Sequence, residues 1–496
     1  MSPHALENVR MHRRIRHALA TAAAAALTGA ALTAAAGTAA AAGSGLPGDF
    51  NGDGYRDVAV SAPLATVGGK SNAGQIAVMY GSASGLKATS RTLISQNSTG
   101  VPGSAEKNDL FGEATAAGDF NGDGYADLAV GAPGEDVGSD TDGGMVEIIW
   151  GSASGLSGGT TVADPNPSGQ DKFGQALAVG DFDPDGKADL AAGGTSAKVW
   201  IFRGGFTKSA GASSSYYVPF QIHSGNGAGA LHLVTGDFNG GGGDDLIVNG
   251  YSSETDYNTN IIIYASPTGT KLEGGSQENL AAGLVTATGD LNGDGKADLV
   301  IGEHWDDGIS GAAKGGKISV IYGNDYSSYA PVSISQGTAS VPSDPESGDA
   351  FGWEVSTGDI NGDGYADLAI GAPGENLTTG STTSITDAGA VTVLYGSASG
   401  VSGTGSQYFH QNTPGVPGGN EKYDGFGGEV HLSDVTGDGR ADLTVGVNGE
   451  NDYNGNVVAF RSDGQKITTT GITSFGPSAV GVSTSGRPQF GSVMAD

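Results

Sequence analysis

Short hydrophobic runs and acidic, glycine-rich loops alternate along most of this chain. One set of apolar runs directly follows the loops, at residues 58–60, 128–130, 246–248, 299–301 and 368–370. A second set, richer in β-branched and aromatic residues, follows the next turn, at residues 76–80, 146–150, 261–264, 318–322, 391–395 and 457–460. Short runs of this composition, bounded by glycine-rich turns, are typical of β-strands. The pattern therefore predicts a repeated β-unit.

The acidic loops mark the repeat. Seven copies of one nine-residue loop occur, at residues 49–57, 119–127, 181–189, 237–245, 290–298, 359–367 and 434–442. Each unit is predicted to contain a strand before the loop, two strands after it and a weaker outer strand. Strands this short are not stable alone, but four-stranded units arranged radially form propeller blades. The sequence thus predicts an all-β fold, a seven-bladed β-propeller that spans residues 43–496 as one domain.

The loop at residues 119–127 has a spacing that suits a hard cation. It reads Asp-Phe-Asn-Gly-Asp-Gly-Tyr-Ala-Asp, with oxygen side chains at positions 1, 3, 5 and 9 and glycine at position 6. Ca²⁺ takes six to eight oxygen ligands, and the spacing matches the start of an EF-hand loop. Gly124 permits a turn where a Cβ would clash. A strand-like run follows in place of a helix, so we predict an EF-hand-like loop within a β-hairpin. A purely polar turn is the alternative, and six concordant copies favour metal.

Three motifs recur in a fixed order around these loops. Phe-Gly precedes the loop at residues 111–112, 173–174, 351–352 and 426–427, and Gly-Ala-Pro follows it at 131–133 and 371–373. In this order the motifs resemble the FG-GAP repeat, the unit of the integrin α-subunit head propeller and of many secreted bacterial proteins. The resemblance implies a seven-bladed β-propeller whose loops bind Ca²⁺ at one rim, between the first and second strands of a blade. About six Ca²⁺ sites are implied here.

The resemblance also implies the metal ligands, which are the side chains at loop positions 1, 3, 5 and 9 and the carbonyl at position 7. The implied sets are Asp49, Asn51, Asp53, Tyr55 and Asp57; Asp119, Asn121, Asp123, Tyr125 and Asp127; Asp181, Asp183, Asp185, Lys187 and Asp189; Asp290, Asn292, Asp294, Lys296 and Asp298; Asp359, Asn361, Asp363, Tyr365 and Asp367; and Asp434, Thr436, Asp438, Arg440 and Asp442. The hydroxyl of Thr436 is a weaker ligand, so we expect a looser site there. In the loop at 237–245, Gly241 replaces the position-5 aspartate, and we expect that copy to fail.

The N-terminal segment is typical of an export signal. Four arginines between residues 10 and 16 precede an Ala/Leu-rich run at 18–36, and small residues at 39–42 suit a cleavage site. We therefore predict a signal peptide at residues 1–42 and a secreted, extracellular protein, with an uncleaved anchor helix as the alternative. No later segment approaches the roughly 18 apolar residues that a transmembrane helix needs. The chain has no cysteine, so its stability outside the cell must come from something other than disulfides.

The net charge constrains the partners. The formal charge is −31 at pH 7, a surface that repels nucleic acid and anionic lipid. Divalent cations bound to clustered carboxylates would offset part of this charge. The composition therefore argues against a nucleic-acid partner and is consistent with the predicted Ca²⁺ loops.

The two ends of the domain are predicted to pair. The first acidic loop has no Phe-Gly strand before it, while Phe490-Gly491 stands near the C-terminus. We predict that the segment after residue 488 supplies the missing inner strand and closes the ring, which removes exposed strand edges. A frayed tail is the alternative.

Other candidate functional residues give weaker signals. A second acidic feature recurs before Phe-Gly and in the turn after the loop, at Glu106, Asp109, Glu346, Asp349, Glu421, Asp424, Glu135, Glu375 and Glu450. We expect these residues on the face opposite the calcium rim, either as a ligand surface for cations, basic peptides or sugars, or as solvated loops or loop-stabilising hydrogen-bond acceptors. Histidines are scattered, at His223, His232, His304, His410 and His431, and no catalytic motif joins them. Loop aromatics at Tyr216, Tyr217, Trp305 and Tyr326 would contact a partner or pack on outer strands.

These observations favour a secreted, monomeric, Ca²⁺-binding propeller with a non-catalytic role in binding or adhesion. The partner would be an extracellular protein or glycan. Two alternatives stay open: an extracellular hydrolase or polysaccharide lyase built on the propeller, and a structural protein of the cell envelope. An acid/base pair of carboxylates assembled across blades would favour the enzyme, and a sequence cannot show such a pair.

Overall fold

The computed structural model describes residues 43–222, 228–255, 257–266, 271–306, 308, 311–323, 330–379 and 383–496. Within these ranges the chain forms seven four-stranded antiparallel sheets, which are the seven blades, together with one small hairpin. The predicted signal peptide (1–42), His223 and Tyr326 lie outside the described residues. None of the helices in the described part of the chain has the length and apolar character needed to cross a membrane.

The blades are numbered by their acidic loops, and each contains an inner strand, two middle strands and an outer strand. The strands of blades 1 to 4 are β1 (Val58–Ala62), β2 (Gln75–Met79), β3 (Arg91–Ile94), β4 (Ala114–Gly118), β5 (Asp127–Ala132), β6 (Met145–Trp150), β7 (Ser157–Val162), β8 (Ala176–Gly180), β9 (Asp189–Gly193), β10 (Lys198–Phe202), β11 (Ser215–Pro219), β12 (His232–Gly236), β13 (Asp245–Ser252), β14 (Tyr257–Ala265) and β15 (Leu272–Asn279). Those of blades 5 to 7 are β16 (Val285–Gly289), β17 (Asp298–Glu303), β18 (Lys317–Ile321), β19 (Val332–Ile334), β20 (Val355–Gly358), β21 (Asp367–Ala372), β24 (Ala390–Tyr395), β25 (Ser402–Phe409), β26 (Phe426–Ser433), β27 (Asp442–Val447), β28 (Asn456–Ser462) and β29 (Ile467–Phe475), with β30 (Met494–Ala495) returning to blade 1. The small hairpin is β22 (Leu377–Thr379) with β23 (Thr383–Ile385), and two four-residue helical turns are α1 (Glu450–Tyr453) and α2 (Pro477–Val480).

The middle strands are buried on both faces, which explains their continuous apolar sequences. In β5 all six residues are buried. Leu128 and Val130 pack in one core with residues of blade 1, while Ala129 lies in a second core with residues of blade 3. Each blade is therefore stabilised mainly by its two neighbours, so the hydrophobic core of the ring is divided among the interfaces between blades.

The predicted ring closure is confirmed. Strand β30 pairs with β1, with Ala495 opposite Ala59 and Met494 opposite Val60. Phe490 forms a parallel bridge with Gly455, just as Phe426 does with Gly389 one blade earlier. The C-terminal segment thus supplies the Phe-Gly inner strand that blade 1 lacks in its own sequence.

The inner strands follow one another around the centre of the ring without forming a common sheet. Threonine hydroxyls link three of these junctions. Thr235, Thr288 and Thr357 each donate to a backbone carbonyl in the preceding blade's inner strand. These bonds satisfy carbonyl groups that ladder pairing leaves free, so neighbouring inner strands hold a fixed register.

Candidate metal loops and central channel

All seven acidic loops share the same backbone turn at position 6. In each, the position-6 glycine has a φ of 80° to 90° and donates its N–H to the position-1 carboxylate, as Gly124 does to Asp119 Oδ2 at 2.8 Å. The other copies of this bond are Gly54–Asp49, Gly186–Asp181, Gly242–Asp237, Gly295–Asp290, Gly364–Asp359 and Gly439–Asp434. Glycine adopts this positive φ without a steric penalty. The loop is therefore preformed around the position-1 carboxylate by backbone donors.

The position-9 aspartate joins the loop to the rest of its blade. Asp127 is fully buried and accepts N–H groups from Phe120 in the loop and from Gly151 at the end of β6. Asp245 of the degenerate fourth loop makes the equivalent bonds with Phe238 and Ala265. Position 9 thus has a structural role in every blade, in addition to the ligand role that the sequence predicts for it.

Burial, followed by the charges at other loop aspartates, raises the pKa of every position-9 carboxyl. The pKa is about 8 for Asp57, about 7 for Asp127, Asp189, Asp245 and Asp367, and about 6 for Asp298 and Asp442. A bound cation would reverse this penalty, because it stabilises the ionised form. The charge distribution of the loops therefore favours cation binding.

Neighbouring loops are also connected. At six of the seven junctions the position-8 N–H of a loop donates to the position-1 carbonyl of the preceding loop, as Ala126 does to Asp49 at 3.0 Å and Ala441 to Asp359 at 2.7 Å. At several of these junctions the position-7 side chain also covers the position-4 glycine of the preceding loop: the Cε1 atom of Tyr125 lies 2.4 Å from where a Cβ of Gly52 would be. The loops are thus connected around the rim, except between loops two and three, where the described residues make neither contact.

Loop three brings its predicted ligands closest together. Carboxylate oxygens of Asp181, Asp183 and Asp189 lie within 4.8 Å of one another, and among the described residues this is the one such acidic group. Asp183 Oδ1 is buried and has no hydrogen-bond partner. An oxygen-only donor set with an unpartnered buried carboxylate oxygen fits a hard cation. Part of the negative charge is already balanced, because Arg203 lies 3.3 Å from Asp183 and Lys187 pairs with Asp185.

The position-5 carboxylates are exposed and do not point into the loops as closely as the predicted ligand sets imply. Asp53, Asp123, Asp185, Asp294, Asp363 and Asp438 are exposed. Each accepts the backbone N–H of position 7, at 3.0 to 3.1 Å. This bond leaves the rest of that carboxylate in contact with solvent.

The fourth loop has a different arrangement from the others. Asn239 Nδ2 donates to both oxygens of Asp245, at 3.2 and 2.9 Å. The amide thus occupies the position-9 carboxylate that a cation would use in the other loops. With Gly241 in place of a carboxylate as well, the donor set of this loop does not fit a cation, in line with the expectation from the sequence.

The second acidic feature forms buried clusters on the opposite face. In three blades a glutamine Nε2 donates to the turn glutamate, in the pairs Gln96–Glu135, Gln336–Glu375 and Gln411–Glu450, at 2.6, 2.5 and 2.6 Å. In each cluster an aspartate accepts a local backbone N–H: Asp109 from Glu106, Asp349 from Glu346 and Asp424 from Glu421. The aspartates are almost fully buried. These aspartates are thus structural acceptors, in agreement with the expectation of loop-stabilising hydrogen bonds.

A central cavity of about 310 Å³ is lined by residues from all seven blades. Glu354 and Glu429, from the adjacent blades 6 and 7, both line it together with Glu113. Burial raises the pKa of Glu354 to about 8, and burial together with the charge of Glu354 raises the pKa of Glu429 well above its ordinary range. Sequence reasoning missed this pair, although a Glu or Gln one or two residues after Phe-Gly was a visible signal at Glu113, Gln175, Glu354 and Glu429.

Three histidines have structural partners, and two of them, His232 and His431, line the central cavity. His232 lines the cavity, contacts the Thr286 hydroxyl at 3.2 Å, and has its pKa lowered to about 4 by burial. His431 Nε2 lies 3.2 Å from Asp496 Oδ1. His410 Nδ1 accepts the Asn412 N–H. These three therefore have structural partners and do not form a catalytic group with one another.

The aromatic residues divide into two groups. Tyr216 and Tyr217 lie on the outer strand β11, where Tyr217 packs edge-on against Trp200, so the packing interpretation is confirmed for them. Trp305 belongs instead to a cluster on the face opposite the acidic loops. There the His304 ring lies 5.0 Å from the ring of Trp305 and 4.9 Å from that of Trp353, and Trp353 is 39% exposed. Trp353 directly precedes Glu354 of the cavity.

Comparison with known proteins agrees with the repeat pattern. The family described as FG-GAP repeat matches residues 41–79, 111–149, 173–216, 282–321 and 351–394. These segments contain five of the seven acidic loops, and the loops at 237–245 and 434–442 lie outside them. Of these two unmatched loops, the one at 237–245 also has the altered hydrogen bonds described above.

The proteins with similar sequences include a phospholipase D and integrin α subunits. "Phosphatidylinositol-glycan-specific phospholipase D" of Rattus norvegicus is 31% identical over 224 residues, 44% of this chain and 25% of the rat protein. "Integrin alpha-PS5" of Drosophila melanogaster is 37% identical over 164 residues, 31% of this chain and 15% of that protein. "Integrin alpha-3" of Mus musculus is 31% identical over 155 residues, 29% of this chain and 12% of that protein. The matched part is a quarter of these relatives or less. From its seven blades and its matched repeats, the chain is an FG-GAP repeat protein whose propeller resembles that of integrin α subunits.

Proposed function

We propose that this protein is a calcium-stabilised binding module that acts outside the cell and takes a protein or glycan ligand without catalysis. The observation that carries the proposal is the aromatic cluster on the face opposite the acidic loops, in which an exposed Trp353 packs beside the half-buried His304 and Trp305. Rigid aromatic side chains are favoured anchors for protein partners, and their apolar faces suit stacking on sugar rings. The likeness to integrin α subunits supports the same role, and the signal-like segment at residues 1–42 supports export.

Calcium has a structural part in this proposal. Six loops keep oxygen side chains at positions 1, 3, 5 and 9 and would each hold one Ca²⁺, with the position-7 carbonyl as a further ligand. Because most loops bond to the next one, an ion in such a loop would also stabilise the interface with its neighbour. A ligand that binds only the folded state adds stability. Calcium would thus take the place that disulfides have in many exported proteins.

The calcium part is tested by counting ions. Purified protein, equilibrated with buffered calcium, should bind about six ions per chain, and Asp123→Ala should bind one fewer. The matched control is Asp237→Ala in the fourth loop, which should leave the count unchanged. Chelation should lower the melting temperature of the wild type. If calcium leaves both the ion count and the melting temperature unchanged, the loops are not calcium sites.

The ligand part is tested on glycan and peptide arrays, with calcium and with a chelator. Trp353→Ala should weaken binding of the captured ligand at least tenfold, since aromatic anchors at interfaces often contribute 2 kcal/mol or more. Tyr217→Ala is the matched control, because Tyr217 is also exposed but lies on the outer strand of blade 3. Equal loss in both variants, or no loss in Trp353→Ala, would place the ligand elsewhere.

A second candidate function is hydrolysis or lyase cleavage of a polysaccharide, and the carboxylate pair in the cavity favours it. Glu354 and Glu429 line the same cavity, and burial raises the pKa of both carboxyls. A pair of carboxyl groups in one cavity suits general acid and base roles. Turnover of a polysaccharide by the wild type, lost in Glu429→Gln but not in Glu106→Gln, would establish the enzyme and overturn the non-catalytic proposal.

A further inference from the structure

A fully buried carboxylate lies at the interface between blades 1 and 2, away from the acidic loops. Glu147 is in the middle of β6, between Met145 and Ile149, which point to the same face and pack into the core shared with blade 1. Its exposure is 0%, and neither Oε1 nor Oε2 has a hydrogen-bond partner. A buried ion without compensation costs several kcal/mol, so the presence of Glu147 calls for a counter-charge.

Glu147 points into the Gln96–Glu135 cluster. Oε1 of Glu147 and Nε2 of Gln96 lie 3.5 and 3.1 Å from one point, the position that a Cβ of Gly103 would occupy. Gln96 is 2% exposed, and its Oε1 also has no hydrogen-bond partner. Glu135 is 7% exposed and accepts the Gln96 amide. The cluster therefore contains two buried carboxylates and an unpartnered amide oxygen.

Other blades satisfy the equivalent groups with hydrogen-bond donors. Residue 147 corresponds to Ser319 in blade 5 and to Thr392 in blade 6, from the strand registers. In blade 5 the buried Glu303 is paired with Lys317 at 3.2 Å and with Ser319. In blade 6 Ser343 donates to Glu375 at 2.7 Å.

Blade 2 has lost these donors. In the aligned Val-Pro-Gly segment, Gly103 stands where blade 6 has Ser343, and Met145 stands where blade 5 has Lys317. Glu147 replaces the hydroxyl, so an acceptor stands where the other two blades have a donor. Among the described residues no Lys, Arg or His forms an ion pair with Glu135 or Glu147.

We propose that Gln96, Glu135 and Glu147 bind one divalent cation of the Ca²⁺ type between blades 1 and 2. Two carboxylates balance the charge of a divalent ion, and carboxylate and amide oxygens are the ligands that Ca²⁺ prefers. The site is distinct from the acidic loops. Asp127 of loop two begins β5 and Glu135 follows its other end, and the two ends of this strand are about 17 Å apart at roughly 3.3 Å per residue. The site would tie blade 1 to blade 2 on the face opposite the rim.

The first test counts calcium in the full chain at one buffered calcium concentration. Glu147→Gln should bind one ion fewer than the wild type, and so should Glu147→Thr, which copies Thr392 and guards against misfolding of the first variant. Asp136→Asn is the matched control: it removes an exposed charge beside Glu135 and should leave the count unchanged. The double variant Asp123→Ala/Glu147→Gln should lose two ions, which separates this site from the rim. An equal count in the wild type and both Glu147 variants overturns the proposal.

The second test needs no variant. Crystals of the wild type grown with calcium should show an anomalous density peak between Glu135 and Glu147, with oxygen distances of about 2.3–2.6 Å. Density for a water only, or a direct short contact between the two carboxyl groups, which would indicate a shared proton, overturns the proposal. This result depends only on the density between Glu135 and Glu147, so it is independent of whether the acidic loops bind calcium.

Discussion

The closure of the ring by Phe490 gives the sharpest stability prediction. The Phe490 ring is fully buried, lies 6.4 Å from the Phe475 ring, and packs in a core that includes Val457 and Val480. Truncating a buried phenylalanine to alanine costs about 3–5 kcal/mol. Phe490→Ala should therefore lower the free energy of unfolding by that amount.

The assay is urea unfolding at saturating calcium, followed by tryptophan fluorescence. Phe111→Ala is the matched comparison, because Phe111 occupies the same place in blade 2 and is equally buried. The two variants should lose similar stability, whereas Thr484→Ala, at an exposed position of the same C-terminal segment, should stay within about 0.5 kcal/mol of the wild type. Deleting residues 488–496 should cost more than Phe490→Ala, because it also removes the pairing of β30 with β1. A loss below about 1 kcal/mol in Phe490→Ala, beside a full loss in Phe111→Ala, would refute the closure.

Three further predictions follow from the contacts around the rim. Burial alone would raise the pKa of Asp496, but the positive charges of His431 and Arg56 lower it to about 2. This stabilisation, about 2 kcal/mol, is lost as the pH falls from about 4 towards 2. Because a histidine carries its charge only when protonated, Asp496→Asn should be most destabilising near pH 5 and nearly neutral at pH 2 in unfolding experiments. Gly52→Ala should cost about 1–3 kcal/mol more than Gly122→Ala, because both glycines have positive φ but only Gly52 is covered, by Tyr125; equal costs measured by urea unfolding would contradict this. The double variant Gly241→Asp/Asn239→Asp should add one bound calcium per chain, because it restores the position-5 carboxylate and removes the hydrogen bond from Asn239 to Asp245. An unchanged ion count would show that these two features do not explain why the fourth loop lacks calcium.

The repeat made much of the fold predictable. Seven acidic loops predicted seven blades, and the unmatched Phe490-Gly491 predicted the closing strand, because both signals are local in sequence and recur in a fixed order. The φ of Gly124 was predictable for the same reason, since the loop spacing requires a turn at position 6.

The central cavity and the aromatic cluster were less predictable from the sequence. Glu354 and Glu429 meet because adjacent blades turn their inner strands towards one axis, a relation that depends on the closed ring. Trp305 and Trp353 come from different blades and are joined through His304. Glu147 could be recognised as unusual only after the strand registers aligned it with Ser319 and Thr392, since on sequence alone it is one more acidic residue in a strand.

Both ends of the described chain lie on the same side of the ring. Gly45 donates to Gly124 in the second acidic loop, and Asp496 lies against Gly48 and Arg56 beside the first. A tag or fusion partner joined at either end would emerge from that side. Protein immobilised through residue 496 would therefore present Trp353 and the face opposite the acidic loops to the solution, whereas coupling through surface lysines would give mixed orientations.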